Sequence, residues 1–311
     1  MALMCVGTLA IDTVETATGR RERVLGGSAS YFAYAAGFFT PVRIIGRVGN
    51  DWPDQYTHWL TDQGADWSGV HHDPEAKTYF WSGRYTPDYQ DRETLAIEMH
   101  GFDAYHPEVP PAFRDSRSIF LAAAVPAVQL RMLEQCTAPK WVFADTVDMW
   151  IETAREDLLR VLQRIDGLFI NDAEARQLTG EHQSVRAALA IQRLGPRWVI
   201  LKKGEHGCLV AGPDGLFALP GFPTDQLVDP TGAGDSFAGG VLGMLAECDA
   251  LDRTSMHRAC MVGTAIASIT LSDFSLDALR RVNRAQIDTR VREYRAMLEG
   301  AGSSQFSRFV P

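Results

Sequence analysis

Short apolar runs alternate with amphipathic segments over residues 118–201, and this alternation restricts the possible folds more than any other feature. The apolar runs have the length of strands and lie at 118–123, 140–144, 167–170 and 198–201. The segments between them carry apolar residues at helical spacing. Strands that are separated by helices predict a mostly parallel sheet with helices on both faces, so we expect a three-layer α/β/α protein.

Composition and charge limit the function classes. Hydrophobic residues make up 46% and charged residues 22% of the 311 residues, as is usual for a soluble globular protein. The net charge of −9 argues against a nucleic-acid partner, and no apolar run approaches the roughly 20 residues of a membrane span. The five cysteines are scattered without a Cys-x-x-Cys pair and the N-terminus lacks a signal sequence, so we expect reduced thiols in a cytoplasmic protein.

The segment 229–240 reads Asp-Pro-Thr-Gly-Ala-Gly-Asp-Ser-Phe-Ala-Gly-Gly and opens an apolar, helix-like stretch. Unpaired N–H groups at such a helix start, at Gly232, Ala233 and Gly234, predict an anion hole. Asp235 in the first turn is then a candidate general base for phosphoryl transfer to a hydroxyl group. A glycine-rich helix start with a capping aspartate is the simpler interpretation of the glycines alone, but the preceding Asp-Pro-Thr favours the catalytic interpretation.

This segment resembles the signature of the ribokinase-like (PfkB) family of sugar and nucleoside kinases. Other segments resemble the family in the same order along the chain, at residues 6–12, 26–33, 45–51, 171–174 and 203–207. The resemblance covers residues 1–275. It implies an ATP-dependent phosphotransferase that uses Mg²⁺ and acts on an alcohol group, in the first instance a primary alcohol of a sugar.

The resemblance also implies how the chain is organised. Residues 1–300 are expected to form the ribokinase-like kinase domain, and residues 301–311 a C-terminal tail. The β-prone segments 13–25 and 76–102 are expected to leave the main sheet and to form a small β-strand lid over the substrate, where it excludes water. An ordinary hairpin at the sheet edge is the alternative for 76–102. The resemblance further raises a homodimer through the lid strands.

The resemblance implies a set of substrate-binding residues. Asp12 is expected to lie at the diol end of the pocket, because a carboxylate can accept two hydroxyl hydrogen bonds. The other members of the set are Gly26, Gly27, Ser28, Tyr31 and Arg92. The aromatic residues Tyr79, Trp81 and Tyr85 can line the lid side, although a stripe of period two also fits plain sheet packing.

The nucleotide and the metals are assigned by the same resemblance. The nucleotide-binding residues that it implies are Lys203, Gly204, Gly207 and Thr231. Asn171 and Glu174 are implied to help place Mg²⁺ through water, but their spacing also predicts a capping box whatever the function. Lys203 equally fits a solvated lysine at a strand end. Asp229 is implied to offer its backbone carbonyl to a K⁺ ion.

Several positions on the substrate side depart from the family pattern. Tyr31 stands where many family sugar kinases carry Asn, and Ala124 and Val147 stand where polar residues are common. Fewer polar contacts remain for a free sugar, so a nucleoside or thio-sugar substrate stays open. A non-catalytic, partner-binding member of the family is a further alternative. An NAD-dependent oxidoreductase is discounted, because no Gly-x-Gly-x-x-Gly follows the first strand.

Overall fold

The computed structural model of the protein describes residues 3–89, 91–102 and 104–300. Over these residues the chain forms the strands β1 (Leu3–Val6), β2 (Ala10–Thr16), β3 (Gly19–Gly26), β4 (Val42–Gly49), β5 (Ala65–Asp66), β6 (Val70–Asp73), β7 (Tyr79–Tyr85), β8 (Arg92–Glu98), β9 (Ser118–Leu121), β10 (Trp141–Asp145), β11 (Gly167–Asn171), β12 (Trp198–Lys202), β13 (Cys208–Gly212) and β14 (Gly215–Leu219). The helices are α1 (Ser28–Ala36), α2 (Asp54–Asp62), α3 (Pro126–Glu134), α4 (Asp148–Thr153), α5 (Arg155–Leu162), α6 (Asp172–Thr179), α7 (Ser184–Gln192), α8 (Ala233–Cys248), α9 (Arg253–Thr270) and α10 (Arg284–Leu298).

The main sheet has ten strands in the order β14-β13-β12-β11-β10-β9-β1-β4-β5, and β6 also pairs with β4. All pairs are parallel except the two that β13 makes with β12 and β14. The central strands β9 and β10 are buried from end to end, and β11 is buried as far as Ile170, which explains why these strands read as unbroken apolar runs. Because β10, β11 and β12 are parallel neighbours, their carboxyl ends lie at the same end of the sheet.

Helices cover both faces of this sheet. One hydrophobic core joins the sheet to α1, α8, α9 and α10, and the stacked rings of Phe32 and Phe120 lie in it with centroids 4.2 Å apart. The second core joins the opposite face to α3, α5, α6 and α7. In the described part of the chain, no helix is both long and apolar enough to span a membrane.

A second sheet of four strands, in the order β3-β2-β7-β8, lies apart from the main sheet. We call this sheet the lid. Its strands come from the two segments that the sequence assigned to a lid, although β2 begins at Ala10 rather than at residue 13. The hydroxyl of Thr18, in the turn between β2 and β3, donates to the carbonyl of Val228 at 3.2 Å. The lid thus rests on the segment that leads into α8.

The predicted α/β fold with a mostly parallel sheet is confirmed. The segment between the strands expected at 140–144 and 167–170, which has apolar residues at helical spacing, forms two helices, α4 and α5, separated at Ala154. Ala154 has φ −135° and ψ 34°, outside the helical region. Residues 301–311, assigned to a tail, lie outside the described residues.

Candidate active site

The turn that begins α8 has the features of an anion site. Gly232 has φ +74°, a left-handed conformation that favours glycine. The N–H of Ala233 donates to the carbonyl of Pro230 at 3.2 Å, whereas in the described part of the chain the N–H groups of Gly232 and Gly234 have no acceptor. Two of the three predicted anion-hole donors are therefore unpaired in this structure.

The ring of Tyr31 fixes the position of that turn. A Cβ atom added to Gly232 would lie 2.4 Å from three carbon atoms of the Tyr31 ring. Tyr31 lies on α1 and only 1% of its surface is exposed, so the ring has no room to move aside. Glycine is thus required at position 232 both by the backbone conformation and by the close approach of an aromatic ring.

Asp235 lies in the first turn of α8 and is partly buried. Burial, and next the negative charge of Asp145, raise its pKa to about 7, while Lys202 and Arg92 act in the opposite direction. A carboxylate with a pKa near neutrality can take a proton from a substrate hydroxyl and still be ionised at physiological pH. Asp235 thus combines a place in the first turn of α8 with a pKa near neutrality, and its role as the general base stays a prediction.

Lys202, and not Lys203, extends toward this turn. The ammonium of Lys202 donates to the Asp145 carboxylate at 2.6 Å. The ammonium of Lys203 instead contacts the hydroxyl of Ser184 at 3.3 Å, at the start of α7. The resemblance assigned Lys203 to the nucleotide, but adjacent residues of a strand point to opposite sides, and packing decides which of them faces the site. The backbone of Lys203 closes the turn to Gly207, since its N–H donates to the Gly207 carbonyl at 2.8 Å, and Gly204 opens that turn.

Asn171 and Glu174 form the predicted capping box at the start of α6. The Asn171 side chain accepts from the Glu174 N–H at 2.8 Å, and the Glu174 carboxylate accepts from the Asn171 N–H at 2.9 Å. Burial raises the pKa of Glu174 to about 7. Among the described residues no cluster of three His, Cys, Asp or Glu side chains could hold a metal by itself. Oxygen donors at Asn171 and Glu174 suit Mg²⁺ that keeps most of its waters and its phosphate ligands.

Two buried polar atoms on the substrate side have no partner in the described part of the chain. They are Oδ1 of Asp12, at 4% exposure of the residue, and the hydroxyl of Tyr31. Gly26 lets the Asp12 carboxylate approach the backbone, since a Cβ there would lie 1.9 Å from Oδ2, and the Gly27 N–H donates to the carboxylate. Unpaired buried polar groups are costly, so these two atoms are free to form hydrogen bonds with a ligand.

The remaining predicted substrate residues, Ser28 and Arg92, differ in whether their polar groups are already bonded within the protein. The Ser28 hydroxyl is hydrogen-bonded within the protein, to Thr8 at 3.1 Å and to the Ala123 carbonyl at 3.4 Å. Arg92, on the lid, lies over the ring of Trp81 at 5.3 Å. Its positive charge lowers the pKa of both Asp12 and Asp235, although other causes raise these pKa values overall. Arg92 is therefore close enough to act on both carboxyl groups, whereas the Ser28 hydroxyl is occupied by hydrogen bonds within the protein.

A hydrogen bond connects the lid to the segment 229–240, which opens α8. The Thr231 hydroxyl donates to the Tyr85 hydroxyl at 3.2 Å. Tyr85 shares a face of β7 with Tyr79 and Trp81, and Trp81 pairs in register with Asp12 on β2. The inner face of the lid is accordingly aromatic. Thr231, assigned to the nucleotide from sequence, contacts the lid in this structure.

Asp229 is fully buried beneath the same motif. Its carboxylate accepts from the N–H of Thr231 at 2.8 Å and from the N–H of Ser275 at 3.5 Å. Burial raises its pKa, and these hydrogen bonds act against that rise. The Asp229 side chain therefore joins the loop before α8 to residues 271–275.

We expect the Asp12→Asn variant to unfold at a higher temperature than the wild type at pH 8. Burial, and next the Asp229 charge, raise the pKa of Asp12 to about 8. An unfolded aspartate ionises near pH 4. Between about pH 4 and pH 8 ionisation therefore stabilises only the unfolded chain, and the free energy of unfolding falls as the pH rises. Asparagine does not ionise, so the variant avoids this loss, and its free energy of unfolding at pH 8 should exceed that of the wild type by on the order of 2 kcal/mol.

Thermal unfolding of the ligand-free protein from pH 4 to pH 8 measures this effect. Asp225→Asn, at an exposed aspartate of a loop, is the control and should give no gain that grows with pH. A stability difference between Asp12→Asn and the wild type that stays constant over this range would contradict a buried, protonated Asp12.

Comparison with known sequences agrees with this geometry. Residues 2–279 match the profile described as pfkB family carbohydrate kinase. A cytidine kinase of Thermococcus kodakarensis is 32% identical over 250 residues, which are 77% of this chain and 87% of that protein. An ATP-dependent ribose-1-phosphate kinase of Halopiger xanaduensis is 29% identical over 76% of this chain and 79% of that protein.

Solved structures resemble the whole fold. A nucleoside kinase of Burkholderia thailandensis, in complex with inosine, aligns with a TM-score of 0.77 at 20% identity, over 97% of this chain and 98% of that one. A ribokinase of Thermotoga maritima aligns with a TM-score of 0.72 at 20% identity, over 94% and 99% of the two chains. At this identity the likeness concerns the fold alone.

Proposed function

Because the chain belongs to the PfkB family of carbohydrate kinases and is an ATP-dependent sugar or nucleoside kinase, we propose that its acceptor is a ribonucleoside. The observation that carries this proposal is the pairing of two unpartnered buried polar atoms with an aromatic lid. Oδ1 of Asp12 and the Tyr31 hydroxyl suit the hydroxyl groups of a ribose. The rings of Tyr79, Trp81 and Tyr85 on the lid suit a planar base.

A free sugar fits this pocket less well. Tyr31 brings one hydroxyl and a large apolar ring to a position where an amide would offer more hydrogen bonds, and Ala124 offers none. A base that packs against aromatic rings supplies the binding energy that these positions do not. The cytidine kinase of Thermococcus kodakarensis, at 32% identity, supports the same substrate class.

The chemical step that we propose uses the groups at the start of α8. A primary hydroxyl of the substrate attacks the γ-phosphorus of ATP, its proton passes to the Asp235 carboxylate, and the bond from phosphorus to the bridging oxygen of ADP breaks. The N–H groups of Gly232 and Gly234 donate to the phosphate oxygens as charge develops there. Asn171 and Glu174 would hold Mg²⁺ through water molecules, and the bound ion would supply positive charge that neutralises the phosphates.

Two further parts of the proposal concern a cation and a partner. The backbone carbonyl of Asp229, beside residues 271–275, is proposed to bind K⁺, and replacement of K⁺ by Na⁺ in the assay tests this. The strand β8 is one of the two edge strands of the lid and carries the exposed side chains of Leu95 and Ile97, at 44% and 41% exposure. A homodimer that pairs these edges is proposed, and light scattering of the purified protein tests it.

The acceptor is tested by ADP formation with Mg²⁺-ATP over a panel that holds nucleosides and sugars at equal concentration. We expect cytidine or another ribonucleoside to give a kcat/KM at least about 100-fold above that of ribose, fructose or ribose 1-phosphate, because base packing adds to the ribose contacts. The 2′-deoxy and 3′-deoxy analogues of the best nucleoside should bind more weakly if Asp12 holds the diol. A free sugar or a sugar phosphate as the best acceptor would overturn the proposal.

A further inference from the structure

Lys202 forms an ion pair at the end of the main sheet where the parallel strands have their carboxyl ends. It is the last residue of β12, in register with Asn171 on β11. Its ammonium lies 2.6 Å from Oδ2 of Asp145, and the Asp145 side chain is only 3% exposed. The Lys202 side chain is 21% exposed, so one side of the pair remains open.

The open side of Lys202 faces the first turn of α8. A Cβ atom added to Gly234 would lie 3.3 Å from the Lys202 ammonium nitrogen. An ammonium has three N–H donors, and the one hydrogen bond that it makes to the described residues is the bond to Asp145. The remaining donors are therefore directed toward the space in front of Gly234, where a bound phosphate would lie.

The charges around Lys202 also favour an anionic ligand at this ammonium. The carboxylates of Asp145, Glu174 and Asp235 lie close enough to the Lys202 ammonium to interact with it electrostatically. Three carboxylates around one ammonium would repel a polyphosphate that approached without a cationic contact. A buried ion pair by itself adds little stability, so stability alone does not account for a lysine here.

We propose that Lys202 is a catalytic residue that donates hydrogen bonds to the γ-phosphoryl group as it is transferred, and that Asp145 is a positioning residue that holds the ammonium in place. This proposal rests on the proposed phosphoryl transfer. Lys202 neither gains nor loses a proton in the step, since the hydroxyl proton goes to Asp235. The ammonium stabilises the charge on the phosphoryl oxygens while the bond to ADP breaks.

Nucleotide binding in the absence of an acceptor gives the first test. Calorimetry compares ADP with adenylyl imidodiphosphate, an analogue that carries a third phosphate, both with Mg²⁺. In Lys202→Met we expect the analogue to bind about 10-fold or more weakly and ADP to change by less than about 3-fold, because only the analogue reaches the ammonium. An unchanged ratio of the two affinities would overturn the proposal.

Steady-state kinetics give the second test. Lys202→Met should lower kcat about 100-fold with little change in the KM of the acceptor, and Lys202→Arg should keep a larger share of kcat, because it keeps the charge. The double variant Lys202→Met/Asp145→Asn removes both charges and avoids an unpaired buried carboxylate, so it keeps the fold. We expect it to stay as slow as Lys202→Met; recovery of kcat would contradict a direct role of the ammonium.

A second lysine provides the matched control. Lys140 pairs with Asp249, also at 2.6 Å, but it lies just before β10, at the amino-terminal end of the parallel strands. Lys140→Met should leave kcat and both nucleotide affinities unchanged. If the wild type turns over no acceptor, the proposed function fails, whereas the comparison of ADP with its analogue still tests Lys202 because it needs no acceptor.

Discussion

Asp235→Asn is expected to lower kcat by about 10³-fold, because asparagine cannot accept the proton of the attacking hydroxyl. The acceptor KM should change little, since Asp12 and Tyr31 remain to bind it. In the wild type, kcat should rise with pH around a midpoint near 7, because burial raises the pKa of Asp235 to about 7 and the protonated form is not a base. The residual activity of Asp235→Asn should lack this midpoint.

Initial rates from pH 5.5 to pH 9 with saturating Mg²⁺-ATP measure both effects. Asp225→Asn is the matched control, because it makes the same change at an exposed loop position. Its kcat and pH profile should equal those of the wild type. A variant Asp235→Asn that retains more than a tenth of the wild-type kcat would rule out Asp235 as the general base.

Gly232→Ala is expected to lower kcat by about 10² to 10³-fold and to destabilise the protein. The new Cβ would lie 2.4 Å from the buried ring of Tyr31, so the turn has to move and the N–H groups of the anion hole move with it. Alanine at φ +74° adds a conformational cost of about 1 kcal/mol. Turnover and thermal unfolding of the variant measure these two effects.

Gly180→Ala separates the steric effect from the conformational one. Gly180 ends α6 with φ +73°, and a Cβ there would meet nothing within 4 Å. This control should lose stability of about 1 kcal/mol and keep the wild-type kcat. Equal losses of kcat in the two variants would show that contact with Tyr31 does not position the anion hole.

Parts of the site that depend on neighbouring residues could be predicted from the sequence. The capping box of Asn171 and Glu174 depends on a spacing of three residues, and both hydrogen bonds are present in the structure. The start of α8 beside Gly232 depends on turn residues followed by an apolar helix, and it lies where the sequence indicates. Local rules suffice here because the groups that make these contacts lie within one turn of chain.

Other features of the site could not be read from local patterns. Nothing in the residue type of Ala154 predicts the break between α4 and α5, because alanine favours a continuous helix. The choice between Lys202 and Lys203 depends on which side of β12 packs toward α8. The two lysines are adjacent and of the same type, so only the contacts with Asp145 and Ser184 distinguish them.

The sequence by itself determined the α/β architecture and the identity of the segment that opens α8, because periodic patterning and turn chemistry act over a few residues. The tertiary structure alone decided that Tyr31 supports Gly232, that Lys202 pairs with Asp145, and that burial raises the pKa values of Asp12 and Asp235. These contacts join residues that are far apart along the chain. Their energies depend on burial and on distances that exist only once the sheet, the helices and the lid have packed together.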